Sequence, residues 1–261
     1  SVRRHLVDRK KAVDPNIDRQ VAKIVDDVRR RGDRALIDYA RRFDDLTEPV
    51  EVSAREIRRG AAETPSVVRT ALRKSAIHIR RIAKLQVPRQ WRSQLVPGVV
   101  VEQRVTPLAR VGCYVPGGRY PLPSSLLMTA IPARVAGVRE IIAVCPRLEP
   151  AVCSAALEAG ISRLFRIGGA HAIAALAYGT KSVPSVDKIT GPGSTFVASA
   201  KAKVAADCPI DFFAGPTEIV IVASKGNPDW IAADLVAQAE HDPDARAVLL
   251  TPSKRLAQAV G

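Results

Sequence analysis

The chain has 261 residues, 47% of them apolar and 4% aromatic, with a formal charge of +14. That apolar content can bury one large core or two smaller ones. No run approaches 18 apolar residues, and the opening SVRRHLVDRKK has no apolar segment behind its charges; neither a membrane span nor a signal peptide is expected, and the expected compartment is the cytoplasm.

The charge is uneven. Residues 1–100 carry 24 Lys/Arg against 13 Asp/Glu, and residues 101–261 carry 16 against 13. In the basic part the excess is interleaved with acids, as in DDVRRRGDRALIDYARRFDD (26–45), and there is no aromatic interleaving to stack bases. A solvated helical surface is the reading, with no nucleic-acid partner. Cys113, Cys145, Cys153 and Cys208 have no CxxC spacing, which suits reduced thiols packed in a core.

Helices are expected as far as Leu95. Within 17–39, Val21, Ile24, Val25 and Val28 recur at three-to-four spacing, and within 62–85 so do Val67, Val68, Ala71, Leu72, Ile79 and Ile82. Between them EPVEVSAREI suggests a short extended run, then Ser53 capping a helix with Glu56 three residues on, the capping-box pattern. After Pro97 the period changes. VVVEQRV (99–105), ARVGCYV (109–115), REIIAVC (139–145), SRLFRI (162–167), VDKI (186–189), TEIVIVA (217–223) and ARAVLL (245–250) are strand-like, mostly separated by Ala-rich helical stretches. Such alternation predicts an α/β fold: mostly parallel sheets flanked by helices, an incomplete Rossmann-like arrangement, preceded by a helical N-terminal region. The expected division is a helical part at 1–97, a Rossmann-like cofactor and substrate domain at 98–216, and the start of a second α/β segment at 217–261. The apolar helix expected from PSSLLMTAIPARVA (123–136) should be kinked or shortened by Pro132.

Three glycine turns follow strands: PGG (116–118), GGAHAIAAL (168–176) and GPGSTF (191–196). In a parallel sheet all three lie at the carboxyl edge, where ligands collect at helix N-termini. Each glycine either turns the chain from strand to helix or lets the backbone approach a phosphate. No GxGxxG is present. The expectation is therefore a shared, non-standard cofactor site. Further on, a helix expected over 228–241 brings Gln238 and His241 to i,i+3 spacing on one face, from which both can reach one ion or ligand. By spacing alone His241 reads first as a satisfied or dipole-favoured cation near a helix C-terminus.

The order YVPGG (114–118), GGAHAIAALAYGT (168–180), VDKITGPG (186–193), AGPTE (214–218) and DLVAQAEHD (234–242), with VRRRGDRALIDYARRFD (28–44) before it, closely resembles histidinol dehydrogenase. The resemblance implies a zinc-dependent enzyme of histidine biosynthesis that uses two NAD in turn to oxidise L-histidinol, through an aldehyde, to the carboxylate. Carried over by motif, Tyr114, His171 and Ser194 bind the cofactor; Thr217, Gln238 and His241 bind substrate; Gln238 and His241 also ligate the metal. Three positions depart from the family pattern: His171 stands for Gln, Ser194 for Asn and Thr217 for Ser. Thr217 keeps a hydroxyl, whereas Ser194 loses an amide and its reach.

The resemblance further implies a longer polypeptide, whose later part supplies a Glu-His catalytic pair, a zinc-ligating Asp and a zinc-ligating His from the other subunit of a homodimer. No catalytic residue is assigned within this chain, although Glu218 and Glu240 are available carboxylates. The expectation is an inactive fragment, or one that works with a separate C-terminal polypeptide. Alternative readings are a related oxidoreductase for another small alcohol, such as a sulfonated diol, and a non-catalytic remnant or subunit.

Overall fold

The computed structural model describes residues 14–117, 122–212, 218–240 and 245–261. These fall into two compact units divided between 213 and 214.

In the first unit, α1 (Pro15–Arg31) and α2 (Asp33–Phe43) lead to the two-residue strand β1 (Glu51–Val52), then α3 (Ala54–Glu63) and α4 (Ser66–Gln86). α1 begins with a proline behind the Asp14 cap and ends in three arginines, the charge order that suits a helix dipole. At α3 the expected capping box forms: the Ser53 hydroxyl accepts from Glu56 N, and the Glu56 carboxylate accepts from Ser53 N. α4 stops at Gln86, one residue beyond the repeat expected over 62–85, because Pro88 follows. Leu72, Ala76 and Ala83 form its buried stripe, while Val67 and Ile82 face solvent against expectation.

The stretch read as helical up to Leu95 instead contains β2 (Trp91–Val96), paired antiparallel with β3 (Val99–Gln103) in an exposed hairpin. Its turn is Pro97-Gly98 with Gly98 at φ +83°, the residue order a type II turn requires.

The main sheet follows. β4 (Arg110–Tyr114), α5 (Pro123–Val135), β5 (Glu140–Val144), α6 (Pro150–Ala159) and β6 (Arg163–Phe165) run in succession, then α7 (Gly169–Tyr178), β7 (Lys188–Thr190) and α8 (Thr195–Val204). The strand order is β1-β6-β5-β4-β7, parallel throughout except for β1. β5 and β6 extend the sheet to one side of β4 and β7 lies on the other, so the direction of winding reverses between β4 and β7, the place where doubly wound folds take ligands. Side chains alternate accordingly: Val111, Cys113, Ile141 and Ala143 join a core with α4, α5 and α6, whereas Tyr114, Ile142, Val144 and Ile189 join one with α1, α2, α7 and α8. Both faces are covered, as a parallel sheet demands. Pro132 lies inside α5 without ending it, since Ala136 N still donates to the Pro132 carbonyl.

The second unit holds β8 (Glu218–Val222) and β9 (Arg246–Leu250), paired parallel, with α9 (Pro228–Ala239) and α10 (Lys254–Val260). The six strands expected to form the parallel framework, 109–115 and the five from 139 to 250, thus divide into two separate sheets. In this unit Ile231 and Leu256 are buried, and Trp230 and Val222 are exposed.

Candidate functional site

At the carboxyl edge of the main sheet the three glycine turns come together. Pro146, just beyond β5, separates two of them: a Cβ on Gly168 would lie 2.6 Å from its ring, and one on Gly117 would overlap it. On the other side of β4, a Cβ on Gly191 would collide with the Tyr114 carbonyl oxygen, and Gly191 holds φ +118°. These glycines are required by the protein's own close packing and backbone angles. Gly118 lies outside the described residues.

The turn into α7 is sealed from behind. Asp44, the residue that ends α2, accepts from Gly168 N at 2.8 Å and bonds His171 Nε2 at 2.8 Å. Gly169 N donates to the Tyr114 hydroxyl at 3.0 Å. The His171 side chain is 1% exposed and that of Asp44 8%, and the rings of Tyr39 and Phe43 each lie 6.2 Å from the imidazole. Two orphan N–H groups at a helix start are thereby satisfied by protein acceptors, a carboxylate suiting the positive end of the dipole. Burial pushes the Tyr114 hydroxyl above the ordinary tyrosine range, against the opposing pull of the Gly169 N–H.

The turn into α8 is built differently. Gly191 N donates to Asp211 Oδ2 at 2.7 Å, and the Gly191 carbonyl accepts from Lys201 Nζ at 2.9 Å. Lys201, 1% exposed, also bonds Asp211 Oδ1. Three residues on, Ser194 stands as the N-cap of α8, exposed and making no side-chain cap bond. Beneath, the Thr190 hydroxyl faces Cys113, whose thiol burial pushes up to about 11.

Of the six candidate residues, Tyr114 and His171 are joined through the α7 turn, and Ser194 stands at the end of the turn that packs on Tyr114. Thr217 and His241 lie outside the described residues. Gln238 sits half-buried in the last turn of α9, in the second unit. Glu218 opens β8 with Arg246 at 3.9 Å, and Glu240 follows α9 as its C-cap. Among the described residues there is no group of three or more His, Cys, Asp or Glu able to hold a metal. Asp44, Lys201 and Asp211 are the contributors that spacing did not reveal; Asp44 lies 127 residues from His171.

Residues 7–261 match the family model described as histidinol dehydrogenase. The chain is 49% identical over 262 residues to a histidinol dehydrogenase of Caulobacter vibrioides, covering 97% of this chain and 61% of that protein. It is 44% identical over 259 residues to the histidinol dehydrogenase of Carboxydothermus hydrogenoformans, covering 96% and 61%. The crystal structure of a histidinol dehydrogenase from Elizabethkingia anophelis superposes with a TM-score of 0.87 at 33% identity, covering 93% of this chain and 58% of that one. The chain thus spans about three-fifths of the length of these relatives.

Proposed function

Because the chain belongs to the histidinol dehydrogenase family, we propose that it forms the cofactor-binding part of an NAD- and zinc-dependent enzyme that oxidises L-histidinol in two steps to L-histidine. In that reading the whole enzyme is a cytoplasmic homodimer. The observation that carries the proposal is the meeting of the β4 and β7 turns at the point where the sheet reverses its winding, with Gly191 against Tyr114. That point of the sheet is where a parallel α/β fold offers helix N-termini to an anionic ligand.

NAD, when bound, supplies the hydride acceptor for both oxidations. Tyr114, His171 and Ser194 then divide the work of holding it. The exposed Ser194 hydroxyl and the positive end of α8 suit a phosphate or ribose oxygen. Tyr114 shapes the floor through its bond to Gly169, and His171, tied to Asp44, fixes the α7 turn from below. Binding is weak, high micromolar or poorer, on the order of 5 kcal/mol.

The donors for zinc, Gln238 and His241, are two, and one is a neutral amide. Such a pair does not make a zinc site, which takes three or four protein donors. This polypeptide alone is therefore expected not to turn over histidinol. The test is NADH formation from L-histidinol with added zinc, first with the chain alone and then with any separately encoded C-terminal polypeptide. Turnover only in the mixture, abolished by His241→Ala, supports the proposal. Robust turnover by the chain alone, or none in either case, defeats it.

A further inference from the structure

We propose that Lys201 and Asp211 are positioning residues for the cofactor turn, acting as a bracket on Gly191 by holding the two peptide units that flank its Cα; the inference rests on reading the meeting point of the β4 and β7 turns as the NAD site. A lysine at 1% exposure is uncommon, because removing an ammonium from water is costly unless it is paired and hydrogen-bonded. Here it is both. Nζ reaches Asp211 Oδ1 and the Gly191 carbonyl, and lies 5.7 Å from the centre of the Phe212 ring. Asp211 in turn accepts from Gly191 N and from Phe212 N, each at 2.7 Å.

One residue thus has its N–H held by the acid and its C=O held by the base. That residue sits at φ +118°, pressed against the Tyr114 carbonyl. Rotating the peptide before Gly191 would break the bond to Asp211 and rotating the one after it would break the bond to Lys201, so the pair dictates how the β7 turn leaves the sheet. Lys201 belongs to the helix this turn opens, and stands seven residues beyond Ser194, two turns along α8. The bracket therefore ties the start of α8 and its exposed hydroxyl to the end of β4. A buried ion pair is a poor device for stability alone, since apolar side chains of similar volume do as well or better. Its particular contribution is to specify the orientation of polar groups.

The test uses the full 261-residue chain and three variants: Lys201→Met, Asp211→Asn, and the two combined. NAD binding is followed by NMR titration to about 10 mM, and folding by the thermal midpoint. Lys201→Met alone leaves the Asp211 charge unpaired and should lower the midpoint while weakening NAD about tenfold. The double variant removes both charges; its midpoint should return to within about 3 °C of the parent while NAD stays about tenfold weaker. That split between recovered folding and unrecovered binding is what a merely structural role would not produce. Asp211→Asn, nearly isosteric, should weaken NAD about threefold and covers the case in which the methionine variants do not fold. NAD binding within about twofold of the parent in the double variant, or in Asp211→Asn if that alone folds, overturns the positioning role. Absence of NAD binding by the parent chain is a different result: it removes the cofactor reading itself, and the positioning role with it.

Discussion

The turns into α7 and α8 begin alike, strand, glycine, helix, on the two sides of β4, yet they present their helix starts in opposite ways. At α7 the N–H groups of Gly168 and Gly169 are taken by Asp44 and Tyr114. At α8 the pairing goes to Gly191, and the helix start is left to an exposed serine that does not cap it. A helix N-terminus after a strand attracts anions by its geometry, but whether it can receive one depends on what the rest of the chain has already put there. The α7 start carries an internal carboxylate; the α8 start is the one offered outward.

The contrast between the two turns depends most on Asp44. Asp44→Ala removes the acceptor of both Gly168 N–H and His171 in a nearly dry site, and should cost about 3 kcal/mol in urea denaturation. A loss under about 1 kcal/mol would mean that α7 does not depend on the carboxylate, and the contrast between the two turns would dissolve.

Tyr114 gives the next largest effect. Tyr114→Phe deprives Gly169 N–H of its acceptor and should cost about 1 kcal/mol near neutral pH. The hydroxyl is raised above its ordinary value by burial in the folded chain. Its contribution is therefore fully present below the unfolded value near pH 10 and is lost as pH rises beyond it. Unfolding free energies between about pH 9 and 11 should fall more steeply for the parent than for Tyr114→Phe; parallel curves would show that the hydroxyl is not sequestered.

Ser194→Ala should change least. An exposed residue with no cap bond is expected to alter stability by under about 0.5 kcal/mol, while NAD binding weakens about threefold in titration. A large loss of stability here would place Ser194 in the same structural class as Asp44.

Much of this arrangement was legible in the sequence, because its causes are local. The alternation of strand and helix after residue 105, the Ser53-Glu56 capping box and the placing of three glycine turns at one sheet edge each follow from residues close together in the chain. The hairpin at 91–103 is only half legible: its second strand shows as a β-branched run, whereas its first lies in a stretch that reads as helical although Pro97-Gly98 marks the turn. What spacing could not reveal were partners brought in by folding. Asp44 reads as the end of an amphipathic helix, and Lys201 as one of two basic residues in the last turn of another. Their roles exist only once α2 lies against α7 and α8 lies against the 211–212 segment.

The apolar stripe of α1, Val21, Ile24, Val25 and Val28, is buried against α7 and α8, which end at Tyr178 and Val204. On a ribosome adding about 5–20 residues per second, roughly 180 residues separate the making of that stripe from the making of its cover, a wait of roughly 10–35 s. During that interval only the neighbouring α2, with Ala35, Leu36 and Ala40, offers the stripe a native surface, so the nascent chain carries a partly covered greasy helix until the second half of the sheet arrives.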